Sequence, residues 1–208
     1  MKVLANVARR ARSGFTIVEL SVSLVIFSVV GYALAVVVDV GQESQTIVTG
    51  VANVDAQVRE ATQLLTADLK TASGSSITVT TLSDGNSQLR LQQPITVGGV
   101  DGWGVYDRTF GNDATSQNQS GWRVQYTVRN ATAIDGSATK ELIRQYLDGA
   151  GTIQSTQLLV TGIRDGQSTP RGFRVAATGD VWEVTIATTG DAPSNAGMRA
   201  VFHVQNRN

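Results

Sequence analysis

The chain has 208 residues, a formal net charge of zero, no cysteine and a single histidine. That length fits one membrane segment plus one globular domain. The composition excludes a disulfide framework, a thiolate metal site, a cysteine nucleophile and a His-rich metal centre. Lys2, Arg9, Arg10 and Arg12 all lie ahead of Gly14 with no acidic residue among them, so the rest of the chain is acidic on balance. Such a body lacks the basic stripe that neutralises phosphates, and no nucleic-acid partner is predicted.

From Phe15 to Val38 the sequence reads FTIVELSVSLVIFSVVGYALAVVV, with Glu19 its only charge. The uncharged stretch from Leu20 to Val38 makes a helix of about 28 Å, close to the roughly 30 Å hydrocarbon core of a bilayer. Membrane lipid is therefore an expected partner of residues 15–38. The arginines just before this segment hold that end in the cytoplasm, which places the bulk of the chain on the other side of the membrane. Glu19 does not suit a plain anchor, because a carboxylate inside a spanning helix is costly unless it reaches the interface or meets a partner.

The string Arg12-Ser13-Gly14-Phe15-Thr16-Ile17-Val18-Glu19-Leu20, running directly into the apolar stretch, resembles the prepilin signal of the type IV pilin superfamily. The shared features are a basic leader ending in glycine, an aromatic first mature residue, a glutamate five positions into the mature chain and then a hydrophobic helix. The resemblance implies that a prepilin peptidase removes residues 1–14 by cutting between Gly14 and Phe15. It also implies methylation of the new amino terminus at Phe15 and an assembly role for Glu19, paired with the Phe15 amine of a neighbouring subunit. A charge pair completed only between subunits rewards assembly, since either charge alone in hydrocarbon is unfavourable. A competing signal is Ala33-Leu34-Ala35, the small-x-small pattern of a secretory cleavage site. Its apolar stretch is overlong, contains Glu19 and leads into three valines rather than a polar mature start.

Beyond Val38 the helical period continues through residues 39–72. Ile47, Val51, Val54, Val58, Ala61 and Leu65 recur at spacings of three and four, with Leu64 and Leu69 widening the stripe. Glu43, Asp55, Arg59, Glu60, Asp68 and Lys70 fall mostly off it, which predicts an amphipathic helix. Ser73-Gly74-Ser75-Ser76 ends it, with Gly74 suited to the cap. Gly41 and Gly50 are candidate bends.

Residues 73–208 read as a β-rich globular domain. Short runs favouring strands lie at 77–82, 88–92, 122–128, 141–147, 156–163, 173–177, 181–188 and 199–205, and Trp122, Val124, Tyr126 and Val128 alternate strictly with polar residues. Asp84-Gly85 and Asp135-Gly136 are hairpin turns. One long helix followed by antiparallel strands makes the fold class α+β, with the sheet laid over the helix's apolar stripe. The glycine-rich stretch 93–121, with Trp103, Tyr106 and Phe110 embedded, reads as a long surface loop, or alternatively as a contact surface for a neighbouring subunit or cargo. Asp107, Asn112 and Asp113 are hard oxygen ligands in that stretch but lack EF-hand spacing, so no metal site and no cofactor is predicted.

The order of features downstream resembles the J-type minor pseudopilins of type II secretion and the W-type minor pilins of type IV pili. It rests on Leu65-Thr66-Ala67-Asp68-Leu69, Trp122-Arg123-Val124-Gln125-Tyr126, Glu141-Leu142-Ile143-Arg144-Gln145-Tyr146, Leu158-Leu159-Val160 and Trp182-Glu183-Val184-Thr185-Ile186. Val36 stands where most major pilins carry a proline, and no cysteine pair lies near the C-terminus, both of which suit a minor subunit. The resemblance implies a pilin-like fold and a low-abundance subunit that primes filament assembly or forms its tip. Its implied partners are other minor pilins or pseudopilins, the prepilin peptidase and the inner-membrane assembly platform. The implied location is a single pass of the inner membrane with the amino terminus cytoplasmic and the globular domain outside, periplasmic in a Gram-negative cell.

An enzyme is not predicted. His203 is the sole candidate base and sits among Val201, Phe202 and Val204, and there is no Gly-x-Ser-x-Gly elbow, phosphate-binding loop or dinucleotide fingerprint. The competing class is a membrane-tethered or secreted β-rich binding module that does not polymerise.

Overall fold

The computed structural model describes residues 16–108, 114–133, 136–168, 170–189 and 197–205, with side chains throughout except at 43, 46, 47, 114 and 115. Gly14, Phe15, Phe110, Asn112, Asp113 and Asp135 lie outside the described residues. The chain forms two compact units, one ending at Ile47 and the other starting at Val48.

Helix α1, Ile17–Thr71, contributes to both units. In the first unit its large apolar side chains are exposed all round, from Ile17, Leu24 and Phe27 to Val38 and Val40. A helix without a polar face belongs in a membrane or among other helices. Ile17–Gln42 is long and apolar enough to cross a bilayer and fits a single-pass anchor. Ser21, Ser23 and Ser28 turn their hydroxyls back onto the carbonyls of Ile17, Glu19 and Leu24, at 2.8–2.9 Å, so these polar groups are satisfied within the helix itself.

In the second unit the same helix buries one stripe: Val58, Ala61, Leu65, Leu69 and Ala72, with Val54 and Leu64 packed against them. Val51, also expected on the stripe, is half exposed. Gly74 opens a single 3-10 turn, Gly74–Ser76, rather than taking the left-handed cap expected of it, and the chain leaves the helix through an extended Ser73.

Among the described residues all strand pairs are antiparallel, which with α1 makes the fold α+β, as expected for a pilin-like chain. The five-stranded sheet runs β1-β2-β6-β7-β8, built from Thr78–Thr81, Ser87–Leu91, Arg123–Thr132, Ala138–Leu147 and Ile153–Thr161. Its inner face contributes Leu89, Leu91, Val124, Tyr126, Leu142 and Val160 to the core that covers the α1 stripe. Its outer face carries a row of hydrogen bonds that follows the register: Arg90 to Gln125 (2.6 Å), Gln125 to Gln145 (2.9 Å) and Gln145 to Thr156 (3.2 Å). These amides are buried because each saturates the next. A second sheet, β11-β10-β9, is formed by Arg199–Gln205, Val181–Ala187 and Phe173–Thr178. It is tied to the start of β2, where Asn86 and Ser87 accept the N–H groups of Phe173 (2.8 Å) and Val175 (3.1 Å).

Residues 93–121 are not a long loop. Within them β3 (Gln93–Val97), β4 (Val100–Tyr106) and β5 (Asn118–Ser120) form a third sheet, with the one-turn helix α2 (Ala114–Gln117) before β5. Gly98 and Gly99 both hold positive φ (59° and 80°) and close the β3–β4 hairpin as a two-residue turn, a conformation glycine reaches without steric cost. Gly104 admits β5 alongside: a Cβ there would sit 2.1 Å from the Gln119 carbonyl oxygen.

Candidate functional site

The start of α1 is organised around Glu19. Thr16 precedes the helix as its N-cap, and its Oγ1 accepts the N–H of Glu19 at 3.2 Å. Glu19 Oε2 in return accepts the N–H (2.9 Å) and the hydroxyl (3.1 Å) of Thr16. This reciprocal arrangement is a capping box, which satisfies amide groups that a helix start leaves open. Among the described residues, Oε1 of Glu19 takes no hydrogen bond, so one carboxylate oxygen stays open to a further donor. Gly14 and Phe15, the predicted cleavage and methylation positions, lie outside the described residues.

The family model for the prokaryotic N-terminal methylation motif matches residues 9–31. The chain carries a type IV pilin-like prepilin signal. The matched stretch contains Gly14, Phe15 and Glu19 and most of the apolar helix. Such a signal implies processing by a prepilin peptidase and assembly with pilus machinery, and it points to a structural subunit. No curated protein and no solved structure matches the chain significantly.

The globular unit holds a polar cluster that sequence reasoning missed. Asp68, assigned to the polar side of α1 by its sequence, is 6% exposed and faces the core. Its Oδ2 receives the Tyr126 hydroxyl at 2.5 Å and the Arg144 guanidinium at 3.0 Å, while Oδ1 accepts Gln93 Nε2 at 3.0 Å. Arg144 also donates to the Tyr146 hydroxyl at 2.6 Å and stacks over the Tyr146 ring at 4.6 Å. Tyr146 in turn donates to Asp107. Burial, then the charge of Asp68, pushes the Tyr126 phenol well above its ordinary value, so it stays protonated as a donor. Burial works against the charge of Arg144, but Asp68 and then the two tyrosines outweigh it and raise its pKa. The cluster joins α1, β3, β6, β7 and the residue after β4, and every one of its partners belongs to the second unit. It is a structural clamp: the phenols are held protonated and the one cation is enclosed by acceptors.

His203 lies opposite Glu183 across β10 and β11, with Nε2 3.6 Å from Glu183 Oε2 and both side chains largely exposed. Asp107 is engaged by Tyr146, and among the described residues no group of three His, Asp or Glu side chains is placed to hold a metal ion.

Proposed function

We propose that this chain is a minor pilin or pseudopilin, a low-abundance subunit that primes assembly, or forms the tip, of a type IV pilus-like or type II secretion filament. The observation that carries the reading is a carboxylate, Glu19, set in the first turn of an apolar helix within a prepilin signal. Cleavage after Gly14 would leave Phe15 as the only residue ahead of the Thr16 cap, and its cationic amine would stand at the positive end of the helix dipole. That amine needs an acceptor in an apolar surrounding, and the open Oε1 of Glu19 on a neighbouring subunit supplies one.

In this reading the leader and the peptidase's cut are cytoplasmic, the Ile17–Gln42 segment crosses the inner membrane and later lies in the filament core, and the globular unit is periplasmic. Partners are other minor pilins or pseudopilins and the assembly platform. Val36 in place of the proline of most major pilins, and the lack of a cysteine pair, support a minor rather than a major subunit. The test is the intact mass and amino-terminal sequence of the protein from its native membrane, paired with Glu19→Ala. A chain starting at Phe15, with or without one added methyl, is expected in both. The Ala variant should lose at least about tenfold in the sheared filament fraction, the loss corresponding to one unpaired charge in hydrocarbon. A chain starting at Met1 or Val36, or normal incorporation of the variant, overturns the reading.

A further inference from the structure

The outward face of the β11-β10-β9 sheet bears a groove that filament assembly through α1 does not use. Thr185 pairs with Arg174 on β9, and Ala187 with Arg199 on β11. Alternation therefore puts Arg174, Thr185, Arg199 and Glu183 on the face opposite the buried Val184 and Ile186. Arg171 and the turn at Gly85 wall this floor into a cavity of ≈ 530 Å³, within the range of pockets that hold small ligands and peptide side chains. The wall is fixed by backbone packing, since a Cβ on Gly166 would sit 2.1 Å from the Asn86 nitrogen.

The groove gathers cations that the fold leaves without partners. Arg59, Arg129, Lys140 and Arg144 are in ion pairs, and Arg90 and Arg164 are hydrogen-bonded. Among the described residues, the side chains of Lys70, Arg123, Arg171, Arg174 and Arg199 have neither an ion pair nor a hydrogen bond, and the last three line the groove. Three guanidinium groups on the lining of one groove are mutually unfavourable, so the arrangement lacks an internal reason. Thr185 in the floor is only 5% exposed, and among the described residues its hydroxyl has no hydrogen-bond partner. A buried hydroxyl without a partner is unfavourable and is satisfied by a ligand oxygen.

We propose that this groove binds an acidic peptide segment of a partner protein. Guanidinium forks at Arg174, Arg199 and Arg171 receive its side-chain carboxylates in bidentate pairs, the geometry in which arginine surpasses a point charge. Glu183, the one carboxylate lining the groove, decides between a peptide and a phosphate: it repels a compact dianion but accepts the main-chain N–H groups that a peptide brings. The Thr185 hydroxyl donates to a carboxylate or carbonyl oxygen of the same segment.

The experiment is fluorescence anisotropy of a labelled hexaglutamate peptide with the full chain in neutral detergent micelles, so that the unassembled protein is read independently of filament incorporation. Saturable binding that weakens with salt is expected, with no binding of hexalysine. Arg174→Gln and Arg199→Gln should each weaken it about tenfold, as loss of a charge-assisted hydrogen bond does. Arg123→Gln, outside the groove, should leave it unchanged, and unaltered far-ultraviolet circular dichroism controls for folding. Equal affinity of the double Arg174→Gln, Arg199→Gln variant and the parent chain, absence of peptide binding, or displacement by inorganic phosphate at concentrations equal to the peptide's would each overturn the assignment.

Discussion

The two ends of α1 present the same kinds of side chain in opposite circumstances. Between Ile17 and Val40, Leu, Ile, Val and Phe are exposed on all sides, and the only charge before Asp39 is Glu19. Between Val54 and Ala72, apolar residues occupy one stripe, are buried against the chain's own strands, and share that buried side with an ionised pair, Asp68 and Arg144. A helix that is apolar all round has nothing within its own chain to bury it and requires lipid or other copies. A helix that is apolar on one side is completed intramolecularly, and there even a charge is tolerated because its partners are supplied by the same fold.

The contrast is sharpened by unfolding measurements in detergent, read by tryptophan fluorescence. All three tryptophans, Trp103, Trp122 and Trp182, lie in the second unit, so the signal reports that unit. The largest effect is expected for Asp68→Ala, which strands the Arg144 charge in the core: about 3–5 kcal/mol of destabilisation, the usual cost of breaking a buried pair from one side. If Asp68→Ala unfolds at the parent's denaturant midpoint, the clamp contributes nothing.

Next comes a matched pair. Leu65→Ala, at a fully buried position, should destabilise by about 2–5 kcal/mol. Leu24→Ala, at an exposed one, should shift the same transition by less than about 0.5 kcal/mol. Equal shifts for the two would show that the apolar half is packed against its own chain after all.

The smallest effect concerns the ion pair at the β1–β2 turn. Asp84 is partly buried, which works against its charge, but Lys140 at 2.5 Å and the donors of Asn86 outweigh this and hold its pKa below the ordinary 3.8. Its folded-state pKa is depressed, so its contribution is complete above pH 3.8 and is lost as the pH falls below that through the folded value. Asp84→Asn should therefore lower stability at neutral pH and leave the variant less sensitive to acid than the parent. An acid-unfolding profile that keeps the parent's steepness would show that other carboxylates carry it.

The functional start of the chain was legible because its signals are local. The basic leader ending at Gly14, Glu19 five positions beyond it and the uncharged run from Leu20 to Val38 all fall within one short window. The eight expected strands are present for a related reason, since alternation and turn chemistry act between near neighbours. The stretch 93–121 was misread although its turn was written in sequence: Gly98-Gly99 between Ile95-Thr96-Val97 and Val100 is a hairpin signal that the surrounding glycines and polar residues obscured.

By itself, then, the sequence determined the prepilin signal, the apolar helix, the amphipathic continuation and the α+β class, all of which follow from composition and period over short windows. Only the tertiary structure decided how the strands divide among three sheets, that Asp68 turns inward to meet Tyr126 and Arg144, and that Arg171, Arg174 and Arg199 converge on one groove. The reason is separation along the chain. Arg144 lies 76 residues from Asp68, and no period or spacing encodes a meeting that is set by which strands pair and in what register.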